Sequence, residues 1–312
     1  MSEASASALP SGQQFELRRG ATRAVVTEMG AGLRVFSVGG RSFLDTYEQD
    51  HMPVDGRGAL LLPFPNRIAD GKYVFRGEQY QLPINEVGPH HAIHGMTRWM
   101  NWRLVEQGED RLTLALTLHA QPGYPFVLAL QATYQLTENG LEMRTTARNI
   151  GADLLPYGAG HHPYFTVGSE TIDADLLTLP ARAYFHTDQR QIPMLPSVSV
   201  EGTLYDFRTP RDIGSTVMDT GFTDLARDAD GYARVIFAAP AGTPRITLYM
   251  DAAYQYLQVF TGDTVQARER RRHGLAIEPY TCAANAYNNG LGLAVLEPGQ
   301  SFSSVWGFEV AL

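Results

Sequence analysis

Hydrophobic and polar residues alternate with a period of two along much of this chain. Between residues 111 and 119, Leu112, Leu114, Leu116 and Leu118 are separated by Thr113, Ala115 and Thr117. In the stretch 126–136 the even positions are Phe126, Leu128, Leu130, Ala132, Tyr134 and Leu136. Residues 141–149 continue the pattern after Glu138-Asn139-Gly140, and Asn-Gly is a strong turn signal. Side chains of a strand point alternately to its two faces, so these three segments predict a meander with one buried face. Shorter runs at 22–28, 99–105, 232–237, 245–250, 256–260, 275–278 and 301–310 predict further strands, with Gly, Pro, Asn or Asp between most of them.

No long segment carries a helical period with caps at both ends, and no repeat of 20–50 residues stands out, which argues against a propeller. Thirty glycines and eighteen prolines fit many turns. The chain has 312 residues. At roughly 150 residues per domain that length suggests two domains, but all-β folds of this size form single units. No low-complexity linker divides the chain. The expectation is an all-β protein, one large antiparallel β-sandwich with few short helices. It forms a single domain over 13–312, after a polar, Ser/Ala-rich stretch at 1–12 that is expected to fray.

Composition narrows the function. A hydrophobic fraction of 44% and a charged fraction of 19% exclude intrinsic disorder. A net charge of −8 argues against a nucleic-acid partner. No apolar run reaches the roughly 18 residues of a membrane span, and 1–12 lacks the features of a signal peptide, so a cytoplasmic location without membrane association is expected. The single cysteine, Cys282, rules out an intramolecular disulfide and a cysteine-rich zinc site, and reads as a small packing residue. Whether the chain is a monomer or a dimer is left open.

Five of the nine histidines fall in His90-His91-Ala92-Ile93-His94-Gly95 and Gly160-His161-His162-Pro163-Tyr164-Phe165. His90 and His94 have the spacing of helical zinc ligands, but Gly88-Pro89 and Gly95 argue against a helix there, so no metal is expected. For His90, His91 and His161 the expected role is structural, capping a turn or satisfying a buried carbonyl. His162 precedes a proline, which biases it to extended backbone at a strand end, where its imidazole faces a cleft with a pKa suited to proton transfer. Glu278 ends the apolar run Leu275-Ala276-Ile277 and also precedes a proline; a carboxylate there is costly unless paired or used, which makes it a candidate base. Arg67, in a largely apolar stretch, suits an oxygen-rich ligand or a buried carboxylate equally.

Together these motifs resemble a family. Asn66-Arg67-Ile68 with Gly71, Tyr73 and Phe75, then residues 80–86 and His94-Gly95, look like the first half of an aldose 1-epimerase (galactose mutarotase). His162-Pro163-Tyr164-Phe165 resembles the family's His-x-Tyr-Phe motif, and Leu204-Tyr205-Asp206-Phe207-Arg208 its Asp-Phe-Arg segment. Asp219-Thr220-Gly221-Phe222 resembles its Asp-x-x-Phe motif, and Leu275-Ala276-Ile277-Glu278 the strand ending in its catalytic glutamate. Each motif alone is weak, whereas the ordered set from Asn66 to Glu278 is specific.

The resemblance implies a galactose mutarotase-like β-supersandwich and a ring-opening mechanism without a cofactor. It implies Glu278 as the base for the anomeric hydroxyl and His162 as the acid for the ring oxygen. His94 would stabilise charge or orient the sugar, and Arg67, Asp219 and Asn66 would bind it. The chain departs from the familiar pattern at Met96, at Thr220 and at Pro279-Tyr280, which bears on the sugar contacts.

Other readings remain beside a mutarotase of a free monosaccharide. A sugar-phosphate 1-epimerase needs a basic pocket, hinted at only by Arg268-Glu269-Arg270-Arg271-Arg272, a run expected to be a solvated loop outside the substrate site. A glycoside hydrolase using Asp219 and Glu278 leaves His94 and His162 without a reason. A non-catalytic carbohydrate-binding protein could lose Glu278 or His162 without penalty.

Overall fold

A computed structural model describes residues 8–312. The chain is built from antiparallel strands, with a single four-residue α-helix at Ala286–Asn289 and two 3-10 turns among the described residues. Nine strands form the larger sheet, in the order Arg103–Gln107, Arg111–Leu118, Leu128–Leu136, Gly140–Asn149, Ser301–Ala311, Arg245–Met250, Ala233–Ala238, Leu176–Thr178 and Arg211–Asp212. The predicted meander is its first half. Leu112 lies opposite Tyr134, and Tyr134 opposite Met143, all three buried. The chain turns at Asn139-Gly140, where glycine serves close approach: a Cβ on Gly140 would sit 2.1 Å from the Phe308 carbonyl oxygen.

The second large sheet runs Val198–Ser199, Ala181–Tyr184, Asp219–Leu225, Tyr256–Phe260, Leu275–Tyr280, Gly160–His162 and Ala59–Leu61, with Tyr164–Phe165 also paired to Leu275–Tyr280. Its inner face packs on the nine-stranded sheet. Phe165 meets Phe308 edge to face at 5.1 Å, and His161 lies 4.9 Å from Trp306. A four-stranded sheet formed from residues 14–42 joins this core through Phe36, 4.6 Å from Phe308. Among the described residues no helix is long and apolar enough to cross a membrane.

Several expectations change. Of the stretch 1–12, residues 1–7 lie outside the described residues. Ser11 is fully buried, and its carbonyl accepts the Met29 N–H. The strand expected at 99–105 begins only at Arg103, because Trp99 and Met100 belong to a turn closed by Met100 N–H on the Thr97 carbonyl. The strand expected to stop at Glu278 continues through Pro279 to Tyr280. Ile277 and Thr281 donate to the Pro163 and Ala159 carbonyls on one side, so the missing N–H of Pro279 faces that side too, where the neighbouring strand is broken after His162. No continuous ladder is cut, so proline is tolerated in mid-strand.

The arginine run is only partly the solvated loop expected: Arg268, Glu269 and Arg271 are exposed, whereas Arg270 and Arg272 are tied to the body. Arg272 donates to Asp173 at 2.6 Å, to Asp263 at 3.1 Å, and to the Gly214 and Thr216 carbonyls, while Arg270 binds Asp45 and the Thr46 carbonyl. The run reads as solvated because most of these partners, from Asp45 to Thr216, are distant in sequence. Truncating Arg272 strands several acceptors at once. Arg272→Ala is expected to lower unfolding free energy by about 2–4 kcal/mol in urea titrations.

Candidate active site

All six residues singled out for catalysis and sugar binding line one cleft of about 440 Å³. His162 comes from the end of the strand Gly160–His162 and Glu278 from the middle of Leu275–Tyr280, two neighbours in the same sheet. His162 Nε2 lies 3.5 Å from Glu278 Oε2. Both side chains are nearly closed off from solvent, at 6% and 2% exposure. Burial holds the His162 imidazole neutral, with its pKa pushed down to about 3. Burial likewise raises the Glu278 carboxyl well above the carboxylate range, opposed by the Tyr280 hydroxyl, which donates to Oε2 at 2.5 Å. The pair therefore holds a single proton over a wide pH range.

The His162 ring is fixed on both flanks. Tyr164 stacks on it at 5.0 Å, and the Arg57 guanidinium lies over that tyrosine's ring at 4.7 Å, while His94 meets His162 edge-on at 5.2 Å. His94 takes a left-handed backbone, φ 62°, and its N–H donates to the Asn66 carbonyl. Burial also keeps its imidazole neutral, the pKa far below the usual histidine value. Gly56 packs against the other edge of His162. A Cβ there would lie 2.7 Å from the imidazole Cδ2, and its φ of 75° disfavours any L side chain. Gly56→Ala is expected to displace the imidazole and lower kcat about tenfold or more, with a stability loss of about 1–2 kcal/mol. Steady-state kinetics beside thermal melting read the two effects separately.

Arg67 binds Glu86 through Nε and Nη2 at 2.9 Å and lies 3.6 Å from Asp219. Asp219 in turn accepts from Gln258 at 2.6 Å, and Gln258 faces Glu278 across the sheet. Asn66 is mostly enclosed, its Oδ1 accepting the Arg67 N–H. Of the two alternatives for Arg67 the carboxylate pairing is present, and its side chain also lines the cleft.

The remaining histidines divide. His91 fills the structural role expected of it, Nδ1 taking the Asp70 N–H and Nε2 meeting the Arg190 carbonyl. His90 is an exposed neighbour of Asp70. His161 departs from expectation: neither ring nitrogen has a protein partner, and the ring packs between Tyr134 and Trp306 as an apolar plate. Cys282 is buried, its thiol pushed up to about 12 by burial. Among the described residues no group of three or more His, Cys, Asp or Glu side chains is arranged to hold a metal. Sequence reasoning missed Arg57, Arg98 and Trp99 in the lining of this cleft, and the Tyr280 hydroxyl that holds Glu278; the only signal was Tyr280 standing where the family motif differs.

A cleft in a β-supersandwich that sets an imidazole against a buried carboxyl defines a class, and the family comparison agrees. The chain belongs to the aldose 1-epimerase family, whose model matches residues 13–309. It is 34% identical to the uncharacterized protein YihR of Escherichia coli (strain K12) over 301 residues, covering 95% of this chain and 94% of that one. It is 25% identical to galactose mutarotase of Mus musculus over 272 residues, 82% of this chain and 79% of that one. Among solved structures, the fold matches a GalM/aldose epimerase homologue from C. elegans with a TM-score of 0.85 at 18% identity, covering 96% and 98% of the two chains.

Proposed function

We propose that this protein interconverts the α and β anomers of a monosaccharide with a free anomeric hydroxyl. The observation that carries the reading is the 3.5 Å contact between His162 Nε2 and Glu278 Oε2. Anomer exchange acts on two oxygens bonded to the same carbon, so its acid and base must stand side by side.

Burial favours the shared proton on Glu278, and the reactive form is the one in which that proton has moved to His162, leaving Glu278 ionised. The carboxylate takes the proton of the C1 hydroxyl, and the O1 electron pair forms the carbonyl. The C1–O5 bond breaks towards O5, which receives the His162 proton. The open-chain aldehyde rotates about C1–C2. On reclosure His162 takes the C5 hydroxyl proton as that oxygen attacks C1, and Glu278 returns its proton to O1. The neutral imidazole of His94 offers an N–H to the ring-oxygen side. Arg67, Asp219 and Asn66 bind sugar hydroxyls, with Arg67 and Asp219 pre-set by Glu86 and Gln258. None of these steps calls for a cofactor.

Polarimetry on freshly dissolved α-D-glucose and α-D-galactose tests this directly, extended to other monosaccharides if both are slow. Wild-type protein should speed the approach to equilibrium rotation in proportion to its concentration. Sugar binding without acceleration on any of them would identify a carbohydrate-binding protein instead.

A further inference from the structure

Glu278 and Tyr280 flank Pro279 in one strand, and alternate residues of a strand project to the same face. Their Cα atoms are about 6.7 Å apart along the strand, a gap that the length of a phenol spans. Tyr280 reaches back over Pro279 and donates its hydroxyl to Glu278 Oε2 at 2.5 Å. This tyrosine is one of the chain's departures from the family pattern, and neither the catalytic pair nor the sugar contacts account for it.

Several residues build this bond. Gly160 lies opposite Tyr280 in the neighbouring strand. A Cβ there would lie 2.6 Å from Cδ1 of the Tyr280 ring, so glycine at 160 makes room for the phenol. Leu61, Phe185, Tyr256 and Ala283 pack with the ring. Asn66, its Oδ1 on the Arg67 N–H, turns its amide to the Tyr280 hydroxyl, which leaves the hydroxyl's own hydrogen for Glu278. Burial and the neighbouring carboxylate hold the phenol well above its ordinary pKa, so it stays a donor.

The two carboxyl oxygens differ in their surroundings. Oε2 takes the Tyr280 hydroxyl and faces His162 Nε2 at 3.5 Å, whereas Oε1 accepts no hydrogen bond among the described residues. The other titratable groups around the carboxyl are His162, Tyr164, Asp219 and Arg67, each from a different strand, with the neutral Gln258 opposite. Among the described residues, Tyr280 alone gives Glu278 a hydrogen bond.

We propose that Tyr280 is a positioning residue for the base: it holds Oε2 of Glu278, leaves Oε1 to the C1 hydroxyl, and stabilises the ionised carboxyl that ring opening uses. The proposal rests on the epimerase reading. The reactive form has the shared proton on His162, and a hydrogen bond donated to the carboxylate favours that form over the one with the proton on Glu278. A hydrogen bond to a charged group shifts such a balance about 10–100-fold.

The test is Tyr280→Phe, which removes the hydroxyl and keeps the packed ring. kcat for anomer exchange should fall about 10–100-fold, with KM changed less than about threefold. Without the donor the carboxyl holds its proton more tightly. The alkaline limb of kcat/KM should therefore move up by about one to two pH units, while the acid limb, set by His162, stays in place. Near-wild-type kcat overturns the proposal, as does a change confined to KM. A fall in kcat with an unmoved alkaline limb marks a packing role and overturns it too. Carbon-13 NMR of the Glu278 carboxyl, assigned by its absence in Glu278→Gln, reads the same titration without sugar. If no sugar is epimerised, the reaction reading fails by itself, and this titration still decides the hold on the carboxylate. An upward shift in Tyr280→Phe upholds it, and an unchanged one overturns it. If Tyr280→Phe does not fold, 3-fluorotyrosine at position 280, a stronger donor of nearly the same size, should move the carboxyl titration down; no movement overturns the proposal.

Discussion

Glu278→Gln should lower kcat for anomer exchange by about 10²–10⁴-fold while sugar binding persists. Glutamine keeps the shape of the side chain, and its amide oxygen still accepts the Tyr280 hydroxyl that now donates to Glu278 at 2.5 Å. What disappears is the group that can take the C1 hydroxyl proton. Near-wild-type turnover in this variant would remove Glu278 from the base role. Stability should move the opposite way. The folded carboxyl has a raised pKa. Between about pH 4.5, the ordinary glutamate value, and that raised value, the native state holds a proton the unfolded chain has lost. Stability therefore falls as pH rises through this window, and at neutral pH Glu278 costs stability that glutamine does not. The variant should melt at or above the wild-type temperature, so a loss of activity cannot be put down to unfolding.

His162→Asn should reduce kcat by about 10²–10³-fold, more than it alters KM. Asparagine retains a polar tip beside Glu278 but cannot deliver a proton to the ring oxygen. A change confined to KM would mean that His162 only binds sugar. The pH profile carries a second signature. The His162–Glu278 pair titrates as one unit and works when it holds one proton. Burial lowers the histidine and raises the carboxyl. The acid limb of wild-type kcat/KM should therefore fall well below pH 6.5 and the alkaline limb well above the usual carboxylate range, with a broad plateau between them. In His162→Asn the residual activity should fail on the acid side at the Glu278 titration instead.

Local periodicity was enough to predict the sandwich. Period-two patterning placed Leu128–Leu136 and Gly140–Asn149 to within two residues, because each buries one face against a single core. It failed where pairing is non-local or a strand lies at an edge. Arg103–Gln107 is an edge strand exposed along its whole length, so its hydrophobic pattern says little about where it starts. Pro279 read as a strand end because the gap in the neighbouring strand that accommodates it lies more than a hundred residues earlier. The candidate residues were legible through short motifs, His162 and Glu278 especially. Arg57 and Arg98 were not, since only the folding of distant segments brings them to the cleft.

The arginine clamps have a consequence for how sugar reaches the cleft. Thr264, Val265 and Gln266 form part of its rim, and the segment that follows them is bound to the body by Arg270 on Asp45 and by Arg272 on Asp173 and Gly214. Swinging this side outward means breaking those contacts together, so it behaves as a fixed jamb and not as a hinged door. In an epimerase cycle this side of the opening would stay in place as the sugar passes it.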